Sequence, residues 1–116
     1  MKLAIIGSRE IKNVNFDEYI KEKPDYVISG GAKGIDTLAW EWALKNHIEI
    51  IVHRPNYNKH GKTAPFRRND IIVDEADKII AFWNGKSTGT KYVIDRAKKL
   101  NKSLEIVLLE KTSESG

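Results

Sequence analysis

Five short apolar runs, separated at regular intervals by helical or glycine-bearing segments, restrict the fold more than any other property of the chain. Leu3-Ala4-Ile5-Ile6, Tyr26-Val27-Ile28, residues 48–52, Lys78-Ile79-Ile80-Ala81-Phe82 and residues 104–109 are apolar nearly throughout instead of alternating. Such runs are strands buried on both faces, which is the habit of parallel sheets with crossover connections. Between the second and third runs, Ile35, Leu38, Ala39, Trp42 and Ala43 recur at i, i+3, i+4, i+7 and i+8, the inner stripe of a helix. Val93, Ile94, Ala97 and Leu100 form a similar face before the last run. Thr63 is placed to cap a helix through Ala76 with Pro65 in its first turn, and Asn15 to cap a short helix bearing Phe16, Tyr19 and Ile20. The expectation is one α/β domain over residues 1–110: a five-stranded parallel sheet in the order 3-2-1-4-5, with helices on both faces. Residues 111–116 read as a polar tail, and 116 residues suffice for one core but not two.

In such a sheet ligands settle beyond the carboxyl ends of the strands, where strand order reverses. The order 3-2-1-4-5 puts that point between the first and fourth strands. It brings together Gly7, Ser8 and Arg9 after the first, residues 30–36 after the second and residues 83–90 after the fourth. The middle loop, Ser29-Gly30-Gly31-Ala32-Lys33-Gly34-Ile35-Asp36, leads a strand through three glycines into a helix. Glycine accepts φ > 0 and has no Cβ to hold a ligand off the backbone, and a helix start offers unpaired N–H groups to an anion. Gly30, Gly31 and Gly34 are therefore expected to turn amides toward a phosphate; the plainer alternative is a tight strand-to-helix turn without a ligand. Lys33 either neutralises that phosphate or stands in solvent, and Asp36 either accepts from ribose hydroxyls or complements the helix dipole.

Arg68 and Asn69 follow a long irregular stretch, residues 53–62, and are expected to fork onto a phosphate or carboxylate. Ser87, Thr88 and Thr90 can cap the fourth helix, and with Gly89 they can also form a second anion-binding nest. Trp83 either stacks on a base or packs in the core. Trp40, on the opposite helix face from Trp42, marks an apolar contact surface and hence self-association.

Several chemistries fall away on spacing. Gly61-Lys62-Thr63 has Asn56, and Gly85-Lys86-Ser87 has Ile80, where a Walker loop needs glycine. The dinucleotide fingerprint fails because Ile28 stands two before Gly30. His53 and His60 have no third ligand at metal-binding spacing, and with no Cys there is neither disulfide framework nor thiolate site. Net charge is +4, but the lysines are interleaved with acids as on solvated faces, which gives nucleic-acid binding little support. No run approaches the ~20 apolar residues of a bilayer span. A soluble cytoplasmic protein with no metal, no bound cofactor and no convincing catalytic set is expected.

Ile5-Ile6-Gly7-Ser8-Arg9, Ser29-Gly30-Gly31-Ala32-Lys33-Gly34-Ile35-Asp36, Pro55 with His60-Gly61-Lys62, Arg68-Asn69, Ala76-Asp77 and Gly89-Thr90 together resemble the YspA-like, cpYpsA-related branch of the SLOG superfamily. The resemblance implies a Rossmann-like three-layer domain binding nucleotides or nucleotide-derived ligands such as ADP-ribose relatives, often in bacterial or phage conflict and signalling. Two similar groups imply other activities. LOG-type phosphoribohydrolases cleave nucleoside monophosphates with a catalytic Glu, but Val93 stands at that position here and no Pro-Gly-Gly precedes Gly89-Thr90. Asp36 or Asp95 could only substitute for it. The DNA-processing protein A family holds single-stranded DNA, for which Lys59, Lys62, Arg67, Arg68 and Trp83 could supply a groove. The favoured expectation is a sensor or carrier of a nucleotide-derived molecule.

Overall fold

A computed structural model describes residues 1–109. The apolar runs become β1 (Lys2–Gly7), β2 (Tyr26–Ser29), β3 (Glu49–Val52), β4 (Lys78–Trp83) and β5 (Ser103–Leu108). All pair in parallel in the order β3-β2-β1-β4-β5, so the expected Rossmann-like topology is the observed one. The helices are α1 (Ile35–Lys45), α2 (Tyr57–His60), α3 (Ala64–Glu75) and α4 (Thr88–Lys99), with 3-10 turns at Phe16–Glu18 and Gly61–Thr63. The polar tail expected at residues 111–116 lies outside the described residues, as does residue 110.

The strands lack polar alternation because both faces are covered. Leu3 and Ile5 point with Val27, Ile80 and Phe82 to one side, under Ile35, Ala39 and Ala43 of α1 and the Phe16 turn. Ala4 and Ile6 point with Ile28 and Ile79 to the other, under Ile72 and Val73 of α3 and Val93 and Ala97 of α4. Each buried Val, Leu, Ile or Phe among them contributes roughly 1.5–3 kcal/mol on burial. Phe16 meets Phe82 edge-on at 5.3 Å and Trp42 at 6.0 Å, which anchors the first connection to the sheet. The Asn15 cap is present, its side chain accepting from Asp17 N at 3.2 Å, but the element is a single 3-10 turn.

Three local expectations need correction. The stretch at residues 53–62 is irregular only at first: Asn56 Oδ1 accepts from Lys59 N at 3.1 Å and starts α2. Thr63 stands before α3 but does not cap it, because the preceding 3-10 turn already holds it in helical geometry; its hydroxyl donates to His60 O at 2.9 Å. Leu100 ends α4 with 43% of its surface exposed, so the inner face of that helix stops at Ala97.

Behind the sheet, α3 and α4 are clamped together. Arg96 Nη2 donates to Asp74 Oδ1 at 3.0 Å, and Arg96 Nε lies 3.3 Å from Asp70 Oδ1. The Tyr92 hydroxyl donates to Asp70 Oδ1 at 2.7 Å, and its ring lies 4.9 Å from that of Phe66. Lys102 Nζ donates to the carbonyls of Asp74 and Ala76 at 3.0 Å, satisfying acceptors that a helix end leaves open. Among the described residues no helix is long and apolar enough to cross a membrane.

Candidate functional site

The chain leaves β1 toward β2 and β3, then returns on the other side as β4 and β5, which opens a crevice at the carboxyl ends of β1 and β4. A cleft of about 330 Å³ occupies it. That lies at the lower end of the ~300–1,000 Å³ usual for small-molecule sites. Gly7 and Arg9 close it from β1, Gly30 and Ala32 from β2, and Asp36 from α1. Arg68 and Asn69, with Pro65, Phe66 and Ile72, come from α3, and Ser87, Thr88, Gly89 and Thr90 from the start of α4. Of the residues singled out in the sequence, the structure thus brings Gly7, Arg9, Gly30, Asp36, Arg68, Asn69, Thr88, Gly89 and Thr90 to one cavity. Ser8, Gly31, Lys33, Gly34 and Trp83 are not in its wall.

The turn after β2 is only in part the open amide cradle that its glycines suggest. Gly31 N donates to Ser29 Oγ at 3.2 Å and Ala32 N to Asp36 Oδ2 at 2.9 Å, so both amides have internal acceptors. The glycines serve close packing. A Cβ on Gly34, whose φ is +75°, would fall 2.8 Å from Arg9 Cα; one on Gly30 would lie 2.9 Å from Arg68 Cζ. Gly7 has the same task at the end of β1, where a Cβ would come within 2.6 Å of Ile35 Cβ. Lys33 is exposed on the outside of the turn. Ser8 is buried and ties two loops together, its amide donating to Phe82 O at 3.0 Å and its hydroxyl accepting from Asn84 N at 3.2 Å.

The turn after β4 is organised differently. Asn84 Oδ1 accepts from Lys86 N and Ser87 N, both at 2.9 Å. Ser87 Oγ caps α4 by accepting from Thr90 N at 3.3 Å. The Trp83 indole donates to Ser87 O at 3.0 Å, so it buttresses this turn and has no free face in the cleft. With Ser87 Oγ taken by Thr90 N, the amides of Thr88 and Gly89 keep no acceptor among the described residues, and both residues line the cleft. A Cβ on Gly89 would meet nothing within 4 Å.

Charge in the cleft is unbalanced: two guanidinium groups, Arg9 and Arg68, face one carboxylate, Asp36. Arg68 Nε donates to Asn69 Oδ1 at 2.8 Å, while Nη1 donates to Gly30 O and, at 3.5 Å, to His53 O. That leaves Nη2 for another acceptor. Burial pulls the Arg68 guanidinium below its ordinary value, opposed by the nearby Asp36 charge. Burial also pushes the Asp36 carboxyl up, against the Ala32 N–H and the Arg68 and Arg9 cations. His53 pairs with Glu75 at 2.7 Å, away from the cleft. Pro65, Phe66 and Ile72 were not singled out from the sequence. Pro65 and Ile72 each stand three or four residues from Arg68 and Asn69, and Phe66 three from Asn69, and that shared helix face was the available signal.

A family model described as YAcAr, "YspA, cpYpsA-related SLOG family", matches residues 1–60. Those residues carry the turns after β1 and β2, whereas Arg68 and the start of α4 lie beyond them. The "Gene 61 protein" of Mycobacterium phage D29 is 34% identical over 79 residues, an alignment covering 63% of each chain. The chain therefore spans less than two thirds of the length of that phage relative. No solved structure matches the chain significantly.

Proposed function

Because the chain belongs to the YspA, cpYpsA-related SLOG family, we propose that its cleft binds a nucleotide or nucleotide-derived ligand of ADP-ribose type, as a sensor or carrier in bacterial or phage signalling or defence. The observation that carries this reading is the opposition, across one cleft, of Arg9 and Arg68 to the unpartnered first-turn amides of α4. A phosphate placed there meets two cations on one side and N–H donors at the positive end of a helix dipole on the other. Asp36 Oδ2 is engaged by Ala32 N, which leaves Oδ1 to accept from a ribose hydroxyl. In this reading the phosphate sits at α4, and the turn after β2 contributes wall and carboxylate.

Of the positions weighed for hydrolysis, two stand outside the cleft. Val93, at the position of the phosphoribohydrolase Glu, is fully buried in the core, and Asp95 pairs with Lys91 at 2.8 Å on the outer face of α4. Titration calorimetry with ADP-ribose, AMP and adenosine tests the reading. The two phosphate compounds are expected to bind and adenosine not to, and Arg68→Ala is expected to weaken binding roughly tenfold to a hundredfold, as for loss of a charged hydrogen bond. Equal binding of all three compounds, or binding of none, would overturn it.

A further inference from the structure

Next to the cleft lies a second cavity of about 180 Å³, lined by Trp40, Val52, Arg54 and Thr37 and sharing Ala32 and Asp36 with the first. We propose that this cavity seats the planar base of the same ligand, against the Trp40 indole and the Arg54 guanidinium. The proposal rests on the phosphate reading above and extends it to the other end of the molecule.

Placement supports a single ligand across both cavities. Asp36 and Trp40 are one turn apart on α1, so carboxylate and indole succeed one another on one helix face, about 6 Å apart along the axis. A nucleotide with its phosphate at α4 then passes its pentose over Asp36 and its ring onto Trp40. The indole is a large aromatic surface left 47% exposed, and Val52 beside it is 37% exposed. Arg54 is held in place on the other side, Nη1 donating to Gly31 O at 3.3 Å. Indoles and guanidinium planes both stack on heteroaromatic rings. The positive φ of Gly31 matters here, because a Cβ would lie 2.9 Å from both Arg54 Nη1 and Val52 Cγ1 and would displace this wall.

The cavity's two hydroxyls are engaged by the backbone, Ser29 Oγ accepting from Gly31 N and Thr37 Oγ1 donating to Ala32 O at 3.3 Å, which leaves Arg54 and the shared Asp36 as its available polar groups. A ring there is gripped by its faces, with little reading of its edge, so AMP and GMP are expected to bind alike.

The test compares AMP with ribose 5-phosphate, which keeps phosphate and sugar but has no base, on the wild-type chain and on Trp40→Ala, Trp40→Phe and Arg54→Ala. Trp40→Ala is expected to weaken AMP roughly tenfold, the scale of one lost base–aromatic stack, and to leave ribose 5-phosphate unchanged. Trp40→Phe is expected to restore part of the loss, and Arg54→Ala to act in the same direction as Trp40→Ala. Unchanged AMP affinity in Trp40→Ala, with wild-type AMP binding intact, would overturn the base seat and leave the phosphate reading standing. So would a Trp40→Ala variant that only converts a dimer to a monomer in sedimentation. Failure of the wild-type chain to bind either compound would overturn both readings.

Discussion

Two glycine-bearing turns at the same sheet edge do opposite things with their backbones. After β2, Gly30, Gly31 and Gly34 let neighbouring chain come close: Arg68, Arg54 and the Arg9 backbone occupy the space that side chains would need. The amides of Gly31 and Ala32 are bonded within the turn. After β4, Asn84 and Ser87 hold the turn by their side chains, and the space beside Gly89 is open. A glycine signals close approach, but only its surroundings decide whether protein or ligand approaches.

The sharpest test of this difference is Gly34→Ala against Gly89→Ala. At Gly34 a side chain meets both a positive φ and the Arg9 backbone, and a loss of roughly 3 kcal/mol or more is expected in urea denaturation. Gly89→Ala, in the open first turn of α4, is expected to change stability by less than about 1 kcal/mol, toward a gain. Similar losses at both would abolish the distinction.

Ser87→Ala comes next. Loss of the α4 cap is expected to cost about 1 kcal/mol and to weaken AMP as well, because the same hydroxyl positions the turn that carries Thr88 and Gly89. A stability loss with AMP affinity intact would detach the cap from the binding site.

The smallest effect expected is a gain. Burial raises the Asp36 carboxyl above its ordinary value of 3.8, so the folded chain holds that proton more tightly than the unfolded chain. Wild-type stability attributable to this group is full below the ordinary value and is lost as pH rises through the raised one. Asp36→Asn cannot ionise. It is expected to melt higher than wild type at neutral pH, with the advantage disappearing in acid, while losing affinity for AMP. A variant less stable than wild type at neutral pH, with no pH dependence in the difference, would show that the Ala32 contact outweighs the buried charge.

The sheet was legible because five runs without polar alternation have few other uses, and strand order followed from crossover rules. The site was legible in part. Asp36, Thr88 and Gly89 stand at helix starts and Arg68 and Asn69 in the first half of α3, and the strand-order reversal collects them there. The acceptors of the Gly31 and Ala32 amides were not legible, since Ser29 and Asp36 read equally well as cap or ligand residues until their side chains are placed. Neither was α2, whose polar residues have no apolar period and which depends on a single Asn56 cap. The two readings of Trp83, stacking on a base or packing inward, were not separable in the sequence, since only the folded chain shows its indole N–H donating to Ser87 O.

The Arg96, Asp70, Asp74 and Tyr92 cluster binds α3 to α4, and none of the four lines the cleft. Arg68 rides on one of these helices and Thr88 to Thr90 on the other. The gap between the jaws is therefore gauged by contacts that no ligand touches. Any change that lets the two helices slide alters which anion fits before a single residue at the mouth has been replaced.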